Sequence, residues 1–209
     1  MFEFFYNFFG LNQQIFLVIN HLTNNSILPY ILQTISFCFN ISNFAIIYIL
    51  CGIIFYVQLR KKSRKLFSII YDKMIQVGII YTLFGLSFAL LKFSINLPRP
   101  FCSMPIGSFI TIANVELERC LSSFPSSHTG LAILTCYFVW PYISRIGKVF
   151  TCLGVILVAI SRLSLAMHYP ADIFYSVLIT GIIIVIGNVI FKVLKEQRIY
   201  SILKDRLLL

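Results

Sequence analysis

Residues 45–59, AIIYILCGIIFYVQL, run directly into residues 60–65, RKKSRK. A charge-free apolar run that stops at a basic block reads as a membrane span ending at a water boundary. This span ends at Leu59 and starts between Pro29 and Ile41. The same alternation recurs along the chain. Apolar runs near 71–91, 126–142, 149–165 and 171–191 are separated by polar or basic links. The links at 60–70 and 143–148 are short, so the helices they join are expected to pack antiparallel.

Bulk composition agrees. The 209 residues are 59% hydrophobic and only 11% charged, with a mean hydropathy of +0.90. A soluble domain carries about a quarter charged residues. The net charge of +10 invites a nucleic-acid reading, but the positions of the cations exclude it. Thirteen of the seventeen Lys and Arg lie in three clusters: Arg60 to Lys73, Arg145 with Lys148, and Lys192 to Arg206. Positive-inside bias puts these clusters in the cytoplasm. Trp140 and Tyr142 suit an interfacial position.

The N-terminal stretch has two readings. Leu11, Ile15, Val18 and Leu22 recur at helical spacing, interrupted by Gln13, Gln14, Asn20 and His21. The interruptions favour a helix lying in the interface, with Phe2, Phe4, Phe5, Phe8 and Phe9 as anchors. A sixth span over 2–22 is the alternative. Glu3 and the lack of an early Lys or Arg argue against a cleavable signal peptide. The expected fold is therefore an all-α polytopic transmembrane bundle of five or six spans with an N-terminal interfacial amphipathic helix. It forms a single domain, 1–209, with the amphipathic segment at 1–24, a catalytic core at 92–172 and a basic cytoplasmic tail at 192–209.

The remaining cations are Lys92, Arg99, Arg119 and Arg162. Charges at the ends of membrane-scale apolar segments are costly and mark function. Lys92 closes the 71–91 run, as a snorkelling lysine or as a phosphate ligand. Arg99 lies between Pro98 and Pro100, which restrict its backbone and hold its guanidinium rigidly. Pro125-Ser126-Ser127-His128 precedes the 126–142 run. Ser126 is an N-cap candidate, and N–H groups at a helix start bind anions. Arg162 needs an anion, either a phosphate or Asp172. Pro170 fits the first position of a helix, placing Asp172 in its first turn. There Asp172 can accept a ring proton from His168. All of these residues fall at segment ends opposite the basic clusters, so they share the extracytoplasmic side.

In this order, Lys92-x6-Arg99-Pro100, Pro125-Ser126-Ser127-His128 and Ser161-Arg162-x5-His168-x3-Asp172 resemble the three signatures of the type 2 phosphatidic acid phosphatase superfamily, in its bacterial membrane branch. They cover residues 92–172, and Ser127 stands where that family usually has Gly. The resemblance implies a metal-independent phosphatase with no cofactor. His168 would attack phosphorus and form a phosphohistidine. His128 would protonate the leaving oxygen and then activate water, and Asp172 would orient His168. Lys92, Arg99, Arg162 and the N–H groups at Ser126 and Ser127 would hold the phosphoryl oxygens. The residue chemistry fits, because phosphoryl transfer mostly needs positioning and charge stabilisation.

The implied substrate is a membrane lipid phosphate or pyrophosphate, of the undecaprenyl pyrophosphate, phosphatidylglycerophosphate, phosphatidate or lipid A type. The implied location is a bacterial inner membrane, with the site facing the periplasm. A lipid phosphotransferase would use the same residues. Four cysteines, Cys38, Cys51, Cys136 and Cys152, lie in or beside apolar runs, whereas Cys102 and Cys120 lie in the 93–125 connection, where a disulfide is compatible with an oxidising compartment.

Overall fold

The computed structural model describes residues 6–24, 27–59, 64–110 and 119–208. The anchors Phe2, Phe4 and Phe5, the basic residues Arg60, Lys61 and Lys62, and residues 111–118 of the 93–125 connection lie outside them. Among the described residues the chain is helical, with no strand. The helices are α1 (Leu11–Thr23), α2 (Leu28–Cys38), α3 (Ile41–Leu59), α4 (Arg64–Ile95), α5 (Pro100–Ser103), α6 (Ser127–Val139), α7 (Arg145–Ser164), α8 (Pro170–Glu196) and α9 (Arg198–Leu208). Short 3-10 turns cover Phe8–Gly10 and Trp140–Tyr142.

The expected all-α polytopic bundle is what forms, with two adjustments. Four described helices (α3, α4, α7 and α8) are long and apolar enough to cross a membrane, or five crossings if the bent pair Phe8–Thr23 and Leu28–Cys38 counts as one. The run expected at 126–142 yields only 13 α-helical residues before Trp140–Tyr142 tightens into a 3-10 turn. Pro141 cannot donate to the helical ladder, which ends α6 early. At about 1.5 Å per residue, α6 is roughly 20 Å long, short of the ~30 Å hydrocarbon core. At the N-terminus, the 13 residues of α1 follow the Phe8–Gly10 turn, so the described part of the alternative 2–22 span, residues 6–22, is not one continuous helix.

The chain divides into two compact units, residues 1–41 with 87–180 and residues 42–86 with 181–209. In the first unit α7 is the hub, packing against α1, α2 and α6. Ser144 caps it, its hydroxyl accepting from the Gly147 N–H at 3.2 Å. Its buried residues, Val158 and Ser161–Ser164, crowd its C-terminal end. There Phe16, Leu163, Ala166 and Tyr169 form a core that Phe101, Met104 and Phe109 extend. The apolar stripe Leu11, Ile15, Val18 and Leu22 of α1 is exposed, while Asn12, Phe16 and Asn20 on the other face are buried. Asn20 is therefore an internal tie and not part of a solvated face. Its amide bridges Ile110 N–H at 2.8 Å and the Ser164 carbonyl at 2.9 Å.

In the second unit, α3 has no buried residue in its apolar window. Such a helix is solvated by lipid and not by water. Tyr48 donates to the Met74 carbonyl at 2.8 Å, and Phe44 stacks on Tyr81 with centroids 4.6 Å apart. Gly187 lets α8 approach α4 closely, since a Cβ there would lie 2.5 Å from Ile80 Cγ1. Asp72 gathers Lys195 at 2.8 Å, Lys204 at 2.6 Å and the Tyr200 hydroxyl at 2.8 Å, which ties α9 to the basic end of this unit.

Candidate active site

The turn between α7 and α8 carries His168, and its shape follows from how α7 ends. Leu165 is the C-cap, and Ala166 takes a left-handed φ of 53°. Ala166 N–H then reaches the Leu163 carbonyl at 3.0 Å, and Met167 N–H reaches the Arg162 carbonyl at 3.1 Å. These paired bonds are the Schellman closure, usually made with Gly at the left-handed position. His168 N–H also lies 3.3 Å from the Arg162 carbonyl. The closure brings Arg162 and His168 together although they are six positions apart.

Pro170 begins α8, and Asp172 lies in its first turn. Asp172 is fully buried, as is nearly all of His168. His168 Nδ1 stands 3.4 Å from Asp172 Oδ2. The same oxygen accepts the Tyr169 N–H at 2.8 Å and the Ser123 hydroxyl, and Oδ1 accepts the Tyr6 hydroxyl at 2.8 Å. His168 also lines a cavity that it shares with the cations. Burial holds the His168 imidazole well below its ordinary range, and the charges of Arg162, Lys92 and Arg99 push it the same way. The Ser123 carbonyl opposes them. The ring is therefore neutral at neutral pH, with a lone pair available.

That cavity, about 240 Å³, is lined by Lys92, Arg99, Ser127, His128, Arg162 and His168, with Gln33, Ser36, Phe37 and Asn40 along one side. Lys92 lies in the last turn of α4 and donates to the Ser122 carbonyl at 2.8 Å. Arg99 has the extended backbone its prolines require, φ −79° and ψ 155°, just before α5. Its N–H donates to the Cys120 carbonyl at 2.8 Å, and its carbonyl accepts the Cys102 N–H at 3.0 Å. Cys102 and Cys120 are disulfide-bonded, with Cα atoms 5.5 Å apart, so the bridge frames Arg99 on both sides. Arg162 is buried, and its Nη1 donates to Ser36 Oγ at 2.7 Å.

Ser127 begins α6 and Ser126 takes the N-cap position. The hydroxyl of Ser126 pairs with that of Thr129 at 3.0 Å, and its N–H lies 3.3 Å from the Asp172 carbonyl. Ser126 is thus buried behind the cavity and ties α6 to α8, while Ser127 and His128 face the cavity. The N–H groups of the first turn of α6 have no helical acceptor, and the helix dipole favours an anion beside them. Seven of the eight residues singled out from the sequence meet here directly: six line the cavity and Asp172 backs His168. Ser126 contributes through the scaffold.

Sequence reasoning missed Tyr6, Ser36 and Ser123. No motif marks them. The one available signal was polar residues recurring in apolar N-terminal helices, such as Asn12 with Asn20, and Ser36 after Gln33 and Thr34.

The PAP2 superfamily matches residues 73–196. The crystal structure of Aquifex aeolicus LpxE is similar in fold, with a TM-score of 0.64 and 20% sequence identity, over 85% of this chain and 94% of that one. Comparison with curated proteins finds no match. The family match spans more than half of the chain and takes in the three cavity cations, the His168–Asp172 pair and the start of α6, and the chain accordingly belongs to the PAP2 superfamily.

Proposed function

We propose that the chain hydrolyses a lipid phosphate or lipid pyrophosphate, with His168 as nucleophile. The observation that carries this reading is the cavity itself: three cations, the start of α6 and two histidines converge on a space of about 240 Å³. His168 Nε2 attacks phosphorus, and the bond from phosphorus to the lipid oxygen breaks. Burial, then the charges of Arg162, Lys92 and Arg99, push the pKa of His128 down to about 2. His128 therefore takes up its proton together with the phosphate dianion, whose charge offsets those cations. It then gives that proton to the departing oxygen, releasing the lipid alcohol, or the lipid monophosphate from a pyrophosphate. Water then attacks the phosphohistidine, His128 takes its proton, and inorganic phosphate leaves. Lys92, Arg99, Arg162 and the Ser127 N–H hold the equatorial oxygens as charge redistributes.

The donor set favours an anion over a metal ion, because its charged members facing the cavity are cations. Substrates of the undecaprenyl pyrophosphate, phosphatidylglycerophosphate, phosphatidate and lipid A types all present such an anion on a membrane anchor. Purified protein in detergent is expected to release inorganic phosphate from at least one of them. Activity should survive EDTA and fall with vanadate, which mimics five-coordinate phosphorus. Activity lost in EDTA and restored by a divalent ion would overturn the cation-only mechanism. Phosphoryl transfer to an added lipid acceptor, with no phosphate release, would favour the phosphotransferase reading.

We further propose that the site faces the extracytoplasmic side of a bacterial inner membrane. The basic segments around Arg145 and Lys192 to Arg206 support that orientation by positive-inside bias, and the Cys102–Cys120 bridge supports it by compartment. In protein taken from membranes without reductant, both thiols are expected to resist alkylation until reduced. Full alkylation of both before reduction, read by mass spectrometry, would overturn the orientation argument drawn from the bridge.

A further inference from the structure

The N-terminal segment reaches into the site. Tyr6 lies 166 positions from Asp172, yet its hydroxyl donates to Asp172 Oδ1 at 2.8 Å. Its ring is set edge-on against Phe124, with centroids 6.1 Å apart, and against Tyr169, at 6.5 Å. These rings adjoin Pro125 and His168 in sequence. Two more residues of the same segment hold the catalytic turn at its two ends. Asn20 donates to the Ser164 carbonyl at 2.9 Å, and Asn12 accepts the Ala171 N–H at 2.9 Å. Asn12 and Asn20 are buried. The segment therefore grips residues 164–172 at three points, and Tyr6 grips the carboxylate itself.

We propose that Tyr6 is a positioning residue for the His168–Asp172 pair, acting through Asp172. A carboxylate bound only through Oδ2 can pivot about its last torsion. Anchoring Oδ1 to Tyr6 while Oδ2 takes the Ser123 hydroxyl and the Tyr169 N–H fixes the plane of the group. Oδ2 then meets His168 Nδ1 in one orientation, and Nε2 keeps its aim at phosphorus. Burial and the Asp172 charge both hold the Tyr6 hydroxyl protonated, so it remains a donor across the working pH range. This inference rests on the phosphatase reading above and adds a residue outside the three signature motifs.

Tyr6→Phe removes the hydroxyl and keeps the ring contacts. Phosphate release by the full-length variant is expected to show kcat lowered roughly 10–100-fold, the scale of losing one hydrogen bond to a charged group, with KM nearly unchanged. The acid limb of the kcat profile should also move to higher pH, by about half a unit or more. Once released from Tyr6, the Asp172 charge pairs more strongly with a protonated His168, so the neutral ring is lost at higher pH. The other groups facing His168 are Lys92 on α4, Arg99 before α5, His128 on α6, Arg162 on α7 and Tyr169 beside it. Tyr6→Phe alters none of them. Wild-type kcat and an unmoved acid limb would overturn the inference alone, as would a fall in kcat that tracks lost thermal stability with the limb unmoved. A wild-type enzyme that releases no phosphate from any lipid phosphate would overturn the phosphatase reading and this inference together.

Discussion

His168→Ala is expected to leave no phosphate release above background, while the protein still extracts, purifies and melts as a folded species. Removing a nucleophile from a preorganised site typically costs about 10⁴-fold or more. The residual is set by what the cations and the start of α6 can do for direct attack by water. His168 is where the loss should be greatest because it is the proposed nucleophile and it lines the cationic cavity. Its backbone is fixed by the closure of α7 onto Arg162, and Nδ1 faces Asp172 at 3.4 Å. Substitution by Ala opens a small hole at a buried site, so thermal stability belongs in the same experiment. Wild-type-like turnover by a folded His168→Ala protein would end the phosphohistidine mechanism. The test separates chemistry from binding, since Lys92, Arg99 and Arg162 remain and the variant should still be protected by vanadate or phosphate.

Much of this site was legible in the chain because each cavity-lining residue sits where an apolar run meets a turn. Arg99 between two prolines, Pro170 opening α8 and the Ser-Ser start of α6 are local signals, and the local backbone follows them. The first-unit scaffold was less legible for a physical reason. Asn12, Asn20, Ser36 and Ser123 are short polar side chains whose value depends on partners more than 40 residues away. In sequence, a buried amide that bridges two loops looks like an amide facing water. The exposed stripe Leu11, Ile15, Val18 and Leu22 compounds this, because in a membrane protein the apolar face can be the outer one and the polar face the packed one. The length of α6 was misjudged for a different reason: hydropathy continues through Trp140 and Tyr142, while Pro141 stops the helical ladder before them. Ala166 shows the limit of motif reasoning. A left-handed closure usually announces itself with Gly, and here an Ala carries it, held by bonds to Leu163 and by the Phe16, Leu163 and Tyr169 core.

His128→Ala should cost roughly 10²–10⁴-fold on a lipid phosphate, and how that loss varies with the leaving group is the sharper result. His128 lies in the first turn of α6 and lines the same cavity as His168. In the proposed sequence it acts twice, first giving a proton to the departing oxygen and then taking one from water. A lipid alkoxide is a poor leaving group, so the first step suffers most in the variant. An aryl phosphate with an acidic phenol leaves without help, so its first step should be nearly spared. The second step would still lack its base. The variant should therefore release the phenol in a rapid burst stoichiometric with enzyme, then turn over slowly as phosphohistidine accumulates, because burst release is the signature of a covalent intermediate whose breakdown has become limiting. The acid-labile, base-stable phosphoryl label on the trapped protein should map to His168. An equal loss on both substrates with no burst would remove His128 from the acid–base role and leave it as one more group lining the phosphate cavity.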